Sequence, residues 1–172
     1  MSQKIQITVL IENTSDSSLA CEHGLSLLIE HAGRRILLDA GSSEAFCDNA
    51  DSLEISLTGL DACVLSHGHY DHSGGFEKIF LRDPNAKVYT RKEALDVYLS
   101  AIGGLHMKGK ENGREICTFS SSEIDALCDA FIQEGTSQIY TGHCTGSPGF
   151  DELRRRLGER VHRLTTGLRF EI

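Results

Sequence analysis

The sequence predicts a single α/β layered domain over residues 1–172. Three observations predict it. Apolar residues alternate at period two through the first forty positions, short strand-like runs then alternate with segments of helical spacing, and 40% hydrophobic residues in 172 suffice for one core.

Ile5, Ile7, Val9 and Ile11 set out a first strand, and Leu25, Leu27 and Ile29 a second. "RRILLDAG" follows a turn at Gly33, so these last two segments form a hairpin. A helix-like stretch around "SEAFCDNADSL" leads into the strand "DACVLS". Ser73-Gly74-Gly75 opens a helix with Phe76, Ile79 and Phe80 inward, stopped by "DPN" at 83–85. "AKVYT" is a strand, "RKEALDVYLS" a helix, and "IGG" at 102–104 ends another apolar approach. Ile124, Leu127, Cys128 and Phe131 have helical spacing, with Ser120 and Glu123 as a capping box and Gly135 as the stop. "SQIYTGHCTG" repeats the order strand, histidine, glycine, and Ser147-Pro148 starts a last helix with Leu153 and Leu157 inward. The tail "HRLTTGLRFEI" reads as a closing hairpin.

A net charge of -8 with interspersed signs offers no long basic face, which argues against nucleic acid as partner. "MSQKIQITVLIENTS" lacks the pattern of a secretory signal, and no run reaches membrane-spanning length. Six cysteines are scattered without a C-x-x-C pair, about five of them suited to buried packing. A reduced, cytoplasmic protein that does not engage a membrane is the expectation.

The densest chemistry lies in "DACVLSHGHYDHSGGF", residues 61–76, where His67, His69, Asp71 and His72 follow directly after an apolar strand. His67 and His69 share a face at the strand's end, because neighbours two apart point the same way. Two imidazoles beside a carboxylate and a third imidazole suit two adjacent divalent ions better than one. Such ions activate water and polarise a carbonyl or phosphoryl oxygen. Solvated loop histidines are the alternative, which this spacing disfavours.

"SHGHYDHSGG" resembles the signature of the metallo-β-lactamase superfamily, and "LLDAG" at 37–41 resembles that family's preceding strand. The resemblance implies a four-layer αββα sandwich, shortened in the middle. "EHGLSLLIE", "VLSHGHYDHSGG", "IGGLHM" and "GHCTG" are similar to a subgroup containing the dihydropterin-forming phosphate synthases of the methanopterin pathway.

By resemblance, His67 and His69 bind a first metal, while Asp71, His72 and His143 bind a second. Asp39 is then not a ligand but a support for the metal-binding loop. His106 follows "IGG" where relatives carry a bridging aspartate, and it is expected to act as a ligand or to contact water or substrate. Longer relatives carry a further segment with a third histidine for the first metal, but no histidine lies between His72 and His106 here. Three outcomes stay open: His106 substitutes, a neighbouring subunit supplies a ligand, or only the second site fills. His31 and His162 are expected at the surface, and His23 as a pocket residue. Cys144 is expected to pack behind its loop, with a reactive thiol or soft ligand as the alternative. Gly142, Thr145 and Gly146 offer a nest for an anion.

The expected activity is that of a metal-dependent hydrolase using metal-activated water on an ester, thioester, lactone or phosphoester of a small, anionic molecule, with Asp71 and His106 as catalytic residues. Zinc, one or two ions per chain, is expected from the imidazole-rich set, with manganese or iron as alternatives. The competing expectation is a non-catalytic, metal-bearing binding or interaction protein with an incomplete dinuclear site. A homodimer would cover a cleft exposed by the shorter middle.

Overall fold

The computed structural model describes residues 4–92, 94 and 121–172. The chain divides into two compact units, residues 1–106 with 165–172, and residues 107–164. Among the described residues no helix is long and apolar enough to cross a membrane.

The first unit is a six-stranded sheet in the order Val88–Thr90, Ala62–Leu65, Arg34–Leu38, Ser26–His31, Gln6–Ile11, Arg169–Glu171. Strands β1 (Gln6–Ile11), β2 (Ser26–His31) and β3 (Arg34–Leu38) pair antiparallel, and β4 (Ala62–Leu65) and β5 (Val88–Thr90) continue the sheet in parallel. The hairpin expected at Gly33 is present: Ala32 and Gly33 have φ of 52° and 75°, and His31 pairs with Arg34. Two successive left-handed residues match the twist of a two-residue hairpin, which is why glycine stands there. His31 is exposed, as expected.

Helix α1 (Ala45–Ser52) crosses from β3 to β4, and α2 (Tyr70–Ser73) with α3 (Phe76–Arg82) crosses from β4 to β5. Phe46, Cys47 and Ala50 of α1 and Phe76 and Ile79 of α3 bury the sheet residues Leu10, Leu28, Leu37 and Cys63. A fully buried phenylalanine such as Phe46 contributes on the order of 2–3 kcal/mol. The simple alternation read in the sequence gives way here. Leu28 and Ser26 are buried more deeply than Leu27 and Ile29, and Val9, Leu10 and Ile11 are all fully buried, because both faces of these strands are covered. Phe80, expected inward, is 45% exposed beside Leu81, since α3 buries only the face carrying Phe76 and Ile79.

In the second unit α4 (Ser121–Gln133) and α5 (Gly146–Leu157) pack on the parallel strands β6 (Ile139–Thr141) and β7 (Val161–Arg163). Cys128, Leu153, Leu157 and Val161 are its buried centre, with Ile124, Phe131, Ile139 and Phe150 against them. Leu127, one of the four apolar residues at helical spacing, is exposed on α4. Gly135 ends that helix region with φ 69°, as the sequence predicts. Arg156 of α5 reaches Asp125 and Asp129 of α4.

The tail is not a hairpin. Val161–Arg163 lies parallel to β6, whereas β8 (Arg169–Glu171) pairs antiparallel with β1. Val161 is drawn under α5, and Ile5 and Ile172 exchange backbone hydrogen bonds at 2.9 and 3.0 Å, so each strand finds a longer-range partner. His162, expected at the surface, is half-buried and stacks on Tyr140 with ring centroids 4.7 Å apart. The capping box at Ser120 and Glu123, and most of the helix expected over 91–100, lie outside the described residues.

Candidate metal centre

Parallel pairing of β3 and β4 brings their carboxyl ends side by side, the edge at which α/β sheets present ligands. Asp39 leaves the end of β3 with φ 58°, its N–H donating to Val64 O at 2.8 Å. Ser66, His67 and His69 leave the end of β4, and the single turn of α2 then carries Asp71 and His72 into the interior. Leu25 N–H donates to Asp71 O at 3.1 Å and Ala40 N–H to His72 O at 2.8 Å, which pins α2 to the neighbouring loops.

Asp39 and His72 are both about 1% exposed at the side chain, with His72 Nδ1 2.7 Å from Asp39 Oδ2. Asp39 also accepts Ser66 N–H at 2.8 Å and Ser66 Oγ–H at 2.7 Å. Because Ser66 gives its one hydroxyl proton to Asp39, its oxygen accepts from His67 Nδ1 at 2.9 Å. One carboxylate therefore sets the tautomers of two histidines, directly for His72 and through Ser66 for His67, leaving Nε2 as the lone-pair nitrogen of each.

His67 Nε2 lies 3.2 Å from His69 Nδ1, and the His67 and His72 rings are 4.0 Å apart between centroids. Two nitrogens on one tetrahedral zinc lie about 3.3 Å apart at Zn–N of about 2.0–2.1 Å, so this pair fits a single divalent ion. Burial, and after it the neighbouring His72 and His69, holds the His67 imidazole below the usual histidine range. A neutral ring keeps its lone pair for a cation. His23, an expected pocket residue, places Nε2 3.1 Å from Asp71 Oδ2.

Of the predicted residues, His67, His69, Asp71, His72, Asp39 and His23 gather in the first unit. His143, Cys144 and Thr145 stand in the second, in the turn between β6 and α5, where His143 is buried. His106 lies outside the described residues. The N–H groups of Thr145 and Gly146, expected to cradle an anion, both turn onto Gly142 O at 2.9 and 3.0 Å, and the Thr145 hydroxyl bonds that of Thr141. The tight turn into α5 uses those donors itself. Ser66 and Glu22 were not singled out in the sequence. Glu22 accepts from Ser42 N–H, Ser43 N–H and Ser43 Oγ–H at 2.9, 3.0 and 2.7 Å, tying the His23 loop to the loop after β3. Its signal was adjacency to His23 in "CEHG".

Cys144 is exposed rather than packed behind its loop, and Cys21 is exposed as well, leaving Cys47, Cys63 and Cys128 as the buried thiols among those described. Burial pushes the Cys47 and Cys63 thiols up to about 11. Brief maleimide treatment of the native protein followed by peptide mass mapping should therefore label Cys21 and Cys144 and spare Cys47, Cys63 and Cys128 until denaturant is added. Labelling of Cys63 as fast as Cys21 would contradict this burial.

The metallo-beta-lactamase superfamily profile matches residues 19–101, which hold His23, Asp39 and the whole motif from His67 to His72. Over this stretch the chain is similar to the metallo-beta-lactamase superfamily. Its α/β fold is that of solved metallo-beta-lactamase structures. A metal-dependent hydrolase of the beta-lactamase superfamily, Tm1679, superposes with TM-score 0.70 at 19% identity, covering 98% of this chain and 99% of that one. A diphosphatase of the PhnP family superposes with TM-score 0.59 at 15% identity over 100% and 98%.

Among curated relatives, an uncharacterized protein of Methanocaldococcus jannaschii is 40% identical over 94 residues, 54% of this chain and 37% of the relative. A hydroxyacylglutathione hydrolase of Serratia proteamaculans is 36% identical over 70 residues, 41% of this chain and 27% of the relative. The 7,8-dihydropterin-6-methyl-4-(beta-D-ribofuranosyl)-aminobenzene-5'-phosphate synthase of M. jannaschii is 37% identical over 78 residues, 41% and 26%. The matches thus span only 26% to 37% of these curated relatives' own lengths.

Proposed function

We propose that the chain is a metal-dependent hydrolase of a small, anionic ester, thioester, lactone or phosphoester. The observation that carries this reading is the convergence of His67 Nε2 and His69 Nδ1 at 3.2 Å beside a His72 held by buried Asp39. Zinc suits the imidazole-rich donors, with manganese or iron as alternatives. His67, His69, Asp71 and His72 would hold it, and the family resemblance adds His143 and His106. A bound divalent ion would activate water and polarise the scissile carbonyl or phosphoryl group.

The chain's own residues do the rest. Asp39 and Ser66 keep His67 and His72 in the tautomer that turns Nε2 toward the centre. Asp71, buried at the start of α2, orients the attacking water and takes up its proton. Likeness over 78 residues to the pterin phosphate synthase supports a place near that subgroup. A cytoplasmic setting and a homodimer complete the proposal.

The test is elemental analysis of purified and zinc-reconstituted protein, followed by a screen of esters, thioesters, lactones and phosphoesters. About one or two ions per chain and turnover that a chelator abolishes are expected. A full metal complement with no turnover across the screen would overturn the hydrolase reading. The lack of any histidine between His72 and His106 motivates a second reading, a metal-bearing binding protein. It requires a single ion per chain and tight binding of a small anion without hydrolysis.

A further inference from the structure

His23 sits in a segment without helix or strand, yet that segment is firmly built. Glu22 N–H donates to Glu12 O at 3.2 Å while its carboxylate clasps Ser42 and Ser43, and the Ser42 hydroxyl donates to the His23 carbonyl. Upstream, buried Asn49 binds both the N–H and the carbonyl of Ala20 at 2.9 and 2.8 Å. Downstream, Gly24 passes so close to α2 that a Cβ there would stand 2.7 Å from Asp71 O, and Leu25 N–H bonds that same carbonyl. The backbone before His23 is therefore tied to Glu12, Asn49 and the Ser42–Ser43 loop and the backbone after it to the Asp71 carbonyl, and the imidazole ends with Nε2 3.1 Å from Asp71 Oδ2.

We propose that His23 is a positioning residue that fixes the Asp71 carboxylate in the orientation needed to bind a divalent ion. The proposal rests on the metal-centre reading above. An aspartate's terminal torsion is soft and roughly two-fold, so a carboxylate without a fixed donor samples several orientations. An imidazole N–H from a rigid loop selects one of them. Removing such a supporting hydrogen bond lowers metal affinity by about ten- to a hundred-fold in comparable sites. The His23 side chain is 61% exposed, so its truncation leaves the core intact.

The test compares wild type, His23→Ala and His23→Gln as apo-proteins, titrated with zinc against a chelating indicator and with cobalt(II) followed by visible absorption. Expected is about ten-fold or greater loss of affinity in His23→Ala, with an altered cobalt spectrum. His23→Gln, whose amide N–H reaches the place of Nε2, should regain most of both, and the apo-proteins should melt alike. Unchanged affinity and spectrum in His23→Ala would overturn the proposal. So would equal loss in both variants with fewer ions per chain, which would make His23 a ligand. A wild type that binds neither metal would overturn the metal-centre reading itself, whereas normal wild-type binding with an indifferent His23→Ala sinks only the role of His23.

Discussion

Asp39→Ala should lose about 3 kcal/mol of folding stability and most of its metal affinity. Asp39 accepts three hydrogen bonds, from Ser66 N–H, Ser66 Oγ–H and His72 Nδ1, in a site that water does not reach. Alanine leaves the His72 donor buried without its carboxylate, and stranding a buried partner of this kind costs about 1–3 kcal/mol per group, more when charge is involved. The φ of 58° adds to the cost, because alanine tolerates the left-handed region less well than aspartate or asparagine. Asp39→Asn separates the two effects. It tolerates the backbone, but an amide offers one acceptor oxygen where the carboxylate offers two, so its NH2 must face either Ser66 N–H or the Ser66 hydroxyl and His72 Nδ1. His72 then keeps a favourable contact by carrying its proton on Nε2, the nitrogen a metal needs. Urea denaturation should place Asp39→Asn between wild type and Asp39→Ala, while zinc titration should show both variants weakened by about ten- to a hundred-fold. Wild-type affinity in Asp39→Asn would show that the tautomer of His72 is fixed by something else.

Gly75→Ala should be at least as damaging, for a steric reason. The φ of −82° at Gly75 is open to any residue, so conformational freedom is not what requires glycine. Space is. An added Cβ would fall on the Ala40 carbonyl oxygen, with Ser43 O at 2.6 Å and the Phe46 ring at 2.5 Å. Two of these obstacles are backbone atoms and the third is a ring in the closed core, so no rotamer change relieves them. Relief requires α3 to move away from the loop that follows Asp39. Overpacking of this kind costs about 3 kcal/mol or more, and a protein of this size should melt lower by about 10 °C. Metal affinity should fall with stability, since the same loop carries Asp39. A Gly75→Ala protein that melts within a degree or two of wild type would show that α3 can shift without cost.

Both variants bear on how far the chain could be read without its structure. The run from His67 to His72 was legible because donor types and spacing sit in one short segment. The hairpin at Gly33 and the stop at Gly135 were legible because positive φ restricts residue choice locally. Ser66 and Glu22 were not legible, since serine and glutamate are ordinary in loops and their roles exist only through partners about twenty or more positions away. The tail failed as a hairpin for a related reason. Its two runs have the pattern of neighbouring strands, but β7 is held under α5 while β8 pairs with β1 at the opposite end of the chain.

The sequence by itself determined the α/β class, most strand and helix positions, the metal-capable motif and the resemblance that motif carries, because each depends on residues adjacent or periodic in the chain. Tertiary structure alone decided which nitrogen His67 and His72 present, that one buried aspartate governs both, His72 directly and His67 through Ser66, and that an exposed loop delivers His23 to Asp71. Those outcomes depend on parallel strand ends and loop closures that unite residues far apart in sequence, and distances of about 3 Å between such residues are fixed by packing rather than by pattern.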